Sequence, residues 1–171
     1  MIKVLVGMIA SGKSSYCKML ARDGAIVVSD DAIVSAVHGG IYELYSKKLK
    51  PLYKGVETSA LFLATAIGRD VVVDRGLNMS RNSRARWVAI ARSLDIQSQA
   101  ICFKNEGPTV HAKRRYQSDS RGCTYEYWLD VTNTHNDKYE EPEYDEGFDS
   151  IITLNNWEPP FDEFGITVKE R

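Results

Sequence analysis

The sequence predicts a three-layer α/β sandwich around a mostly parallel five-stranded sheet, and three observations lead there. Five nearly continuous apolar runs are bounded by turn residues, which is how strands read when both faces are covered. Helical patterns occupy the intervals between them, the alternation expected where crossover helices join parallel strands. A glycine-bounded turn follows the first run directly and leads straight into a helical pattern.

The elements follow in order. The strand runs are Ile2 to Val6, Ala25 to Val28, Val71 to Val73, Ala100 to Phe103 and Ile151 to Leu154. Ser14 to Ala21 reads as a helix after the first strand, and a long helical stretch from about Ile41 to Ile67 follows the second. Arg81 to Leu94 follows the third, with Trp87, Ile90, Ala91 and Leu94 at helical spacing. A short helical pattern begins at Pro108 after the fourth. With no internal repeat and no Gly/Ser linker, residues 1–171 read as one domain, with a lid at about 113–123 and a C-terminal extension at about 155–171.

Composition narrows the class. A hydrophobic fraction of 43% and a charged fraction of 26% are those of a globular protein, and no apolar run approaches the ~18 residues of a membrane span. The N-terminus runs straight into Met1-Ile2-Lys3-Val4-Leu5-Val6, so no cleavable export signal is expected. Cys17, Cys102 and Cys123 are odd in number and in no metal-ligand spacing, which favours a reducing, cytoplasmic setting. His38, His111 and His135 stand at no carboxylate or metal-like spacing and suggest no role. The net charge is −1, so any nucleic-acid contact should be local. Charge is nonetheless blocked: six arginines lie between Arg69 and Arg92, basic residues run from Lys104 to Arg121, and seven carboxylates lie between Asp137 and Asp149.

Gly7-Met8-Ile9-Ala10-Ser11-Gly12-Lys13-Ser14 fits G-x-x-x-x-G-K-[ST] in full, the Walker A pattern. Its glycines let successive backbone N–H groups point at one anion, and the helix beginning at Lys13 adds its positive end. The expected cradle is Gly7, Ala10, Ser11, Gly12, Lys13, Ser14 and Ser15, with Lys13 reaching the β- and γ-phosphates of ATP or another nucleoside triphosphate. Ser14 is the expected ligand of Mg²⁺. The sequence has no N-K-x-D to read guanine.

Further residues favour phosphoryl transfer to a hydroxyl. Ser29-Asp30-Asp31 closes the second strand, where a carboxylate can take the acceptor's proton. Asp30 is the candidate base and Asp31 its fallback, with Ser29 or Asp30 also suited to cap the next helix. Asp74 ends the third strand in a Walker-B-like position, holding magnesium through water or fixing an arginine, and with Asp30, Asp31 and the loop residues Arg75 and Asn78 it forms the expected substrate-binding set. The segment from Lys113 to Gly122 carries Arg114, Arg115 and Arg121, suited to neutralise a transferring phosphoryl and exclude water.

This order of features resembles the kinase domain of bacteriophage-type 5′-polynucleotide kinases and related P-loop kinases over about residues 1 to 154. The G-x-x-x-x-G-K-S loop, the Asp-Asp after strand two, the strand-end aspartate before Leu-Asn and the arginine-rich helix with Trp87 are similar. So are the lid and Glu141-Pro142-Glu143-Tyr144-Asp145-Glu146-Gly147-Phe148-Asp149. The resemblance implies a P-loop kinase fold with Lys13 and Ser14 on phosphate and magnesium and Asp30 as base. It further implies Asp74 in the acceptor network, and Arg121 with Arg114 or Arg115 as the lid. One position departs: the family's arginine three residues after the base, which grips the acceptor's own phosphate, is here Ile33. Either Arg75 or Arg81 takes that task, or the acceptor is not a nucleic-acid 5′ end. The acceptor is therefore read as a hydroxyl of DNA or RNA (a 5′-OH or a hydroxymethylated base). A small-molecule kinase is the alternative, and a non-catalytic nucleotide switch the third reading.

Overall fold

The computed structural model of the chain describes residues 1–119 and 121–155. Ser120 of the expected lid and residues 156–171 of the expected extension lie outside them.

The strands are β1 (Ile2–Val6), β2 (Ile26–Ser29), β3 (Val71–Asp74), β4 (Ser98–Phe103) and β5 (Ser150–Leu154). They form one sheet in the order β2-β3-β1-β4-β5, and every pair is parallel. Side-chain alternation along β1 divides the core. Ile2, Val4 and Val6 join Trp87, Val88, Ala91, Leu61 and Ala64 on one face. Leu5 joins Cys17, with Tyr16 and Leu20 packed alongside, on the other. The sheet is thus covered by helices α3 (Lys50–Ala66) and α4 (Arg81–Ser93) on one side and by α1 (Lys13–Arg22) on the other. Three layers result, as the alternation of patterns predicts.

Two elements differ from expectation. The long helical stretch from Ile41 to Ile67 is broken: α2 (Asp30–Val37) precedes it, Gly39 and Gly40 follow with positive φ, and two single 3₁₀ turns lead to α3. Pro51 supplies the reason, because it lies in the first turn of α3, where a missing N–H is harmless and an earlier start is not. The expected lid is a helical hairpin of α5 (Pro108–Gln117) and α6 (Tyr125–Asn136), and α6 has no counterpart in the sequence reading. Its helical pattern is masked by polar residues, since only Trp128 and Thr132 are buried along it.

The charge blocks largely answer one another. Arg84 of α4 is fully buried and forks onto Glu146, donating also to the carbonyls of Asn78 (3.1 Å) and Glu140 (2.9 Å). Arg81 pairs with Asp145 at 2.9 Å and stands 3.9 Å from Glu143. Asp149 accepts from the backbone N–H of Ser98 at 2.7 Å and from its hydroxyl, tying the approach of β5 to β4. Within the acidic stretch Glu146 is therefore a buried strut, while most of the other carboxylates stay solvated even where they have partners.

Removing one partner of a buried pair strands the other charge. Arg84→Ala should lower the unfolding free energy by about 3–5 kcal/mol, read from urea denaturation midpoints. A loss within about 1 kcal/mol, the range of an exposed pair, would contradict this assignment.

Candidate active site

The β1–β3 ladder ends at Val4 and Val73, and beyond it the two strands separate at their C-terminal ends. Asn78 fills that fork. Its amide donates to the carbonyls of Leu5 (3.3 Å) and Val73 (3.2 Å), and its oxygen accepts from Trp87 Nε1 at 3.0 Å. Asn78 is thus buried beneath the crevice it was expected to line, and the resulting interior bracing is a correction to its substrate-binding assignment. In open α/β sheets ligands occupy such a crevice at the strand C-termini.

The loop after β1 curls as its glycines allow. Gly12 has φ 93°, and a Cβ on Gly7 would lie 2.9 Å from Cβ of Phe103, so the bend excludes a side chain there. Ala10 also has positive φ, 56°. Lys13 opens α1, and its ammonium crosses the loop to the carbonyls of Gly7 (2.9 Å) and Met8 (2.6 Å) and to Ser11 Oγ (3.3 Å). Burial lowers its pKa to about 8, against the opposing pull of Asp74. Asp74 is raised by its own burial, held back by Lys13 and by hydrogen bonds from Cys17 and Ser14, and raised further by Asp30. The Ser14 hydroxyl and the Asp74 carboxylate thus stand side by side. They are the hard oxygen donors that magnesium takes, so the residues fit that ion.

Ala10, Ser11, Gly12, Lys13, Ser14 and Ser15 line a cavity of about 510 Å³, closed on the far side by Asp30, Asp31, Asp74 and by Arg114 and Arg115 of α5. Gly7 lies behind it in the bend. Ser29 caps α2 by accepting from Ala32 N (3.4 Å), which frees Asp30. Asp30 instead accepts from Arg75 Nε at 3.1 Å. Burial raises the pKa of Asp31, and the neighbouring Asp30 raises it further.

Asp30 and Asp31 also border a second cavity of about 570 Å³, between α2, α3 and the loop after β3. Tyr42, Tyr45 and Tyr53 supply its aromatic wall, and Lys50, Lys54, Arg75 and Arg86 its cations. Tyr45 stacks on Tyr53 with centroids 5.8 Å apart. Buried Glu57 holds both arginines, with an oxygen 3.3 Å from Arg75 Nε and another accepting from Arg86 at 2.6 Å. Arg86 lies 4.5 Å and Arg75 5.9 Å from the Trp87 ring centre. Ile33 instead packs on the core. No sequence signal singled out these tyrosines, Glu57 or His135, which lines both cavities, because each joins the site only through tertiary packing.

The lid arginines separate. Arg114 pairs with Glu106 and Arg115 lies 4.8 Å from the Trp128 ring centre, and both face the first cavity. Arg121 does not line it. It rests 4.7 Å from the same ring and 3.5 Å from Asp119, which is a correction to its expected position over the loop.

A family model described as an AAA domain matches residues 2–142. No curated protein matches the chain at a significant level. Among solved structures, a shikimate kinase from Bacteroides thetaiotaomicron aligns with TM-score 0.58 and 16% identity over 96% of this chain and 91% of that one. A fungal RNA kinase aligns with TM-score 0.57 and 16% identity over 93% and 77%. A gluconokinase from Sinorhizobium meliloti 1021 aligns with TM-score 0.52 and 19% identity over 92% and 83%. At these identities the likeness is one of fold, an all-parallel α/β sheet shared with P-loop kinases.

The lowered pKa of Lys13 carries a stability signature. Between about pH 8 and its ordinary value of 10.5 the folded chain sheds a proton that the unfolded chain keeps. Stability should therefore rise with pH across that window relative to Lys13→Met. Parallel stability profiles for the two proteins would contradict it.

Proposed function

The chain belongs to the AAA-domain family, and we propose that it is an ATP-dependent kinase that transfers the γ-phosphate to a hydroxyl of a nucleic acid, as bacteriophage-type polynucleotide kinases do. The observation that carries this reading is the pair of cavities that meet at Asp30 and Asp31, one floored by the P-loop, the other aromatic and cationic.

In this mechanism the triphosphate lies along the loop, its anionic oxygens facing backbone N–H groups, the N-terminus of α1 and Lys13. Magnesium bound by Ser14 and Asp74 would neutralise charge on the β- and γ-phosphates. The acceptor hydroxyl enters from the second cavity and gives its proton to Asp30, held in place by Arg75. The hydroxyl oxygen forms a bond to the γ-phosphorus as the bond to the β-phosphate oxygen breaks, releasing ADP. Arg114 and Arg115 neutralise the phosphoryl group in flight.

A nucleic-acid acceptor is supported by the second cavity's lining, because stacked tyrosines suit a base and lysines and arginines suit its phosphate. One fold relative is an RNA kinase. Ile33 packs on the core and Arg81 lines neither cavity, whereas Arg75 lines the second, so of the two arginines Arg75 is the one placed for the acceptor phosphate. A small-molecule acceptor is favoured by one feature, the size of about 570 Å³, which also holds a single nucleotide or metabolite.

Transfer of labelled γ-phosphate from ATP to a 5′-hydroxyl oligonucleotide, a hydroxymethyl-base DNA and a nucleoside mixture separates these readings. Label should appear on a polynucleotide and fall steeply with salt; label confined to nucleosides would move the acceptor to the small-molecule class. Asp30→Asn should keep ATP affinity and lower transfer by about 10²–10⁴-fold, and full activity there would move the base to Asp31. Replacing the exposed lysines, Lys50→Ala with Lys54→Ala, should weaken acceptor binding and its salt dependence while leaving ATP affinity unchanged; an unaltered salt slope would remove them from the phosphate path.

A further inference from the structure

His135 occupies the last turn of α6 and lines both cavities, a position shared only with Asp30, Asp31 and Gly76 among the lining residues. Its Nδ1 is buried without a hydrogen-bond partner among the described residues. Its Nε2 makes no hydrogen bond among the described residues either. An imidazole with neither nitrogen engaged, set at the junction of two polar cavities, calls for a ligand.

Resting on the kinase reading above, we propose that His135 is a further catalytic residue: its Nε2–H donates a hydrogen bond to an oxygen of the phosphoryl group as it passes from the first cavity to the second. The tautomer follows from burial. An orphaned buried N–H is tolerated less well than a bare lone pair, so the proton belongs on Nε2 and Nδ1 is left as an unused acceptor. Burial, and secondarily the charges of Lys13 and Lys138, disfavour protonation of the ring. A neutral donor suits this seat. It can stabilise charge spreading over the equatorial oxygens without forming a tight ion pair with the ground-state triphosphate, so its effect falls on the transition state. Because α6 is the second helix of the lid hairpin, the contact also couples hairpin position to transfer rather than to nucleotide binding.

The test measures the affinity of MgADP with and without aluminium fluoride, a planar mimic of the transferring phosphoryl that needs no acceptor. The wild-type chain should bind MgADP more tightly with the fluoride. His135→Ala should lose at least about tenfold of that gain while its affinity for MgADP alone stays within about twofold, a transition-state rather than ground-state effect. His135→Gln, whose amide N–H can replace Nε2–H, should recover most of it. An undiminished gain in His135→Ala would overturn the contact. So would equal loss of MgADP affinity itself, or a Gln variant as impaired as the Ala variant, since each makes the ring structural. A wild-type chain with no gain from fluoride would overturn the phosphoryl-transfer reading, and the contact with it.

Discussion

The parallel pairing of β1 with β3 on one side and β4 on the other is the constraint from which the site follows. Parallel register sends every strand's C-terminus to one edge, so the loops after β1, β2 and β3 emerge side by side. The β1–β3 ladder stops at Val4 and Val73, and the gap opened there would leave carbonyls of both strands unpaired. Asn78 fills that need, and Trp87 orients Asn78 in turn. A crevice that stays open without solvent entering the core is therefore built before any ligand is considered. The phosphate loop, Asp30 and Asp74 are consequences of where three strands end.

Carboxylate partners hold most of the arginines, those at the crevice included: Arg75 pairs with Asp30 and Glu57, and Arg114 with Glu106. Arg84, Arg81 and Arg86 each have carboxylate partners, two of those partners, Glu146 and Glu57, being buried. The crevice of this chain of net charge −1 therefore sets cations beside carboxylates. Lys13, Arg114 and Arg115 surround the first cavity, and Lys50, Lys54 and Arg75 the second. Glu57 is central to the second set: its buried carboxylate stations Arg75 beside Asp30 and Arg86 over Trp87. The arrangement ties Arg75, which contacts Asp30, to helix α3.

Much of this was legible in the sequence because its signals are local. The glycine spacing of the loop, the apolar strands and the strand-end carboxylates each depend on a few consecutive residues, and all five strands fall within two residues of their expected ends. What was not legible depends on partners distant in sequence. Helix α6 buries only Trp128 and Thr132, so its hydrophobic period is too thin to announce it. Asn78 and Arg84 look like polar loop and helix residues until the fork and Glu146 are in place. Arg121 fits a lid by spacing, yet Trp128, on the unforeseen helix, stacks with it away from the cavity. His135 acquires meaning only where the two cavities join.

The claim that everything else serves is that donor and acceptor approach Asp30 from separate cavities. A crystal structure with a non-transferable ATP analogue, magnesium and a 5′-hydroxyl oligonucleotide tests it most directly. The account predicts the triphosphate along Gly7 to Ser15 and the terminal hydroxyl about 2.6–3.2 Å from an Asp30 oxygen, with the neighbouring base against Tyr42 and Tyr45. A triphosphate seated elsewhere, or an oligonucleotide bound away from the tyrosine-lined cavity, would contradict it.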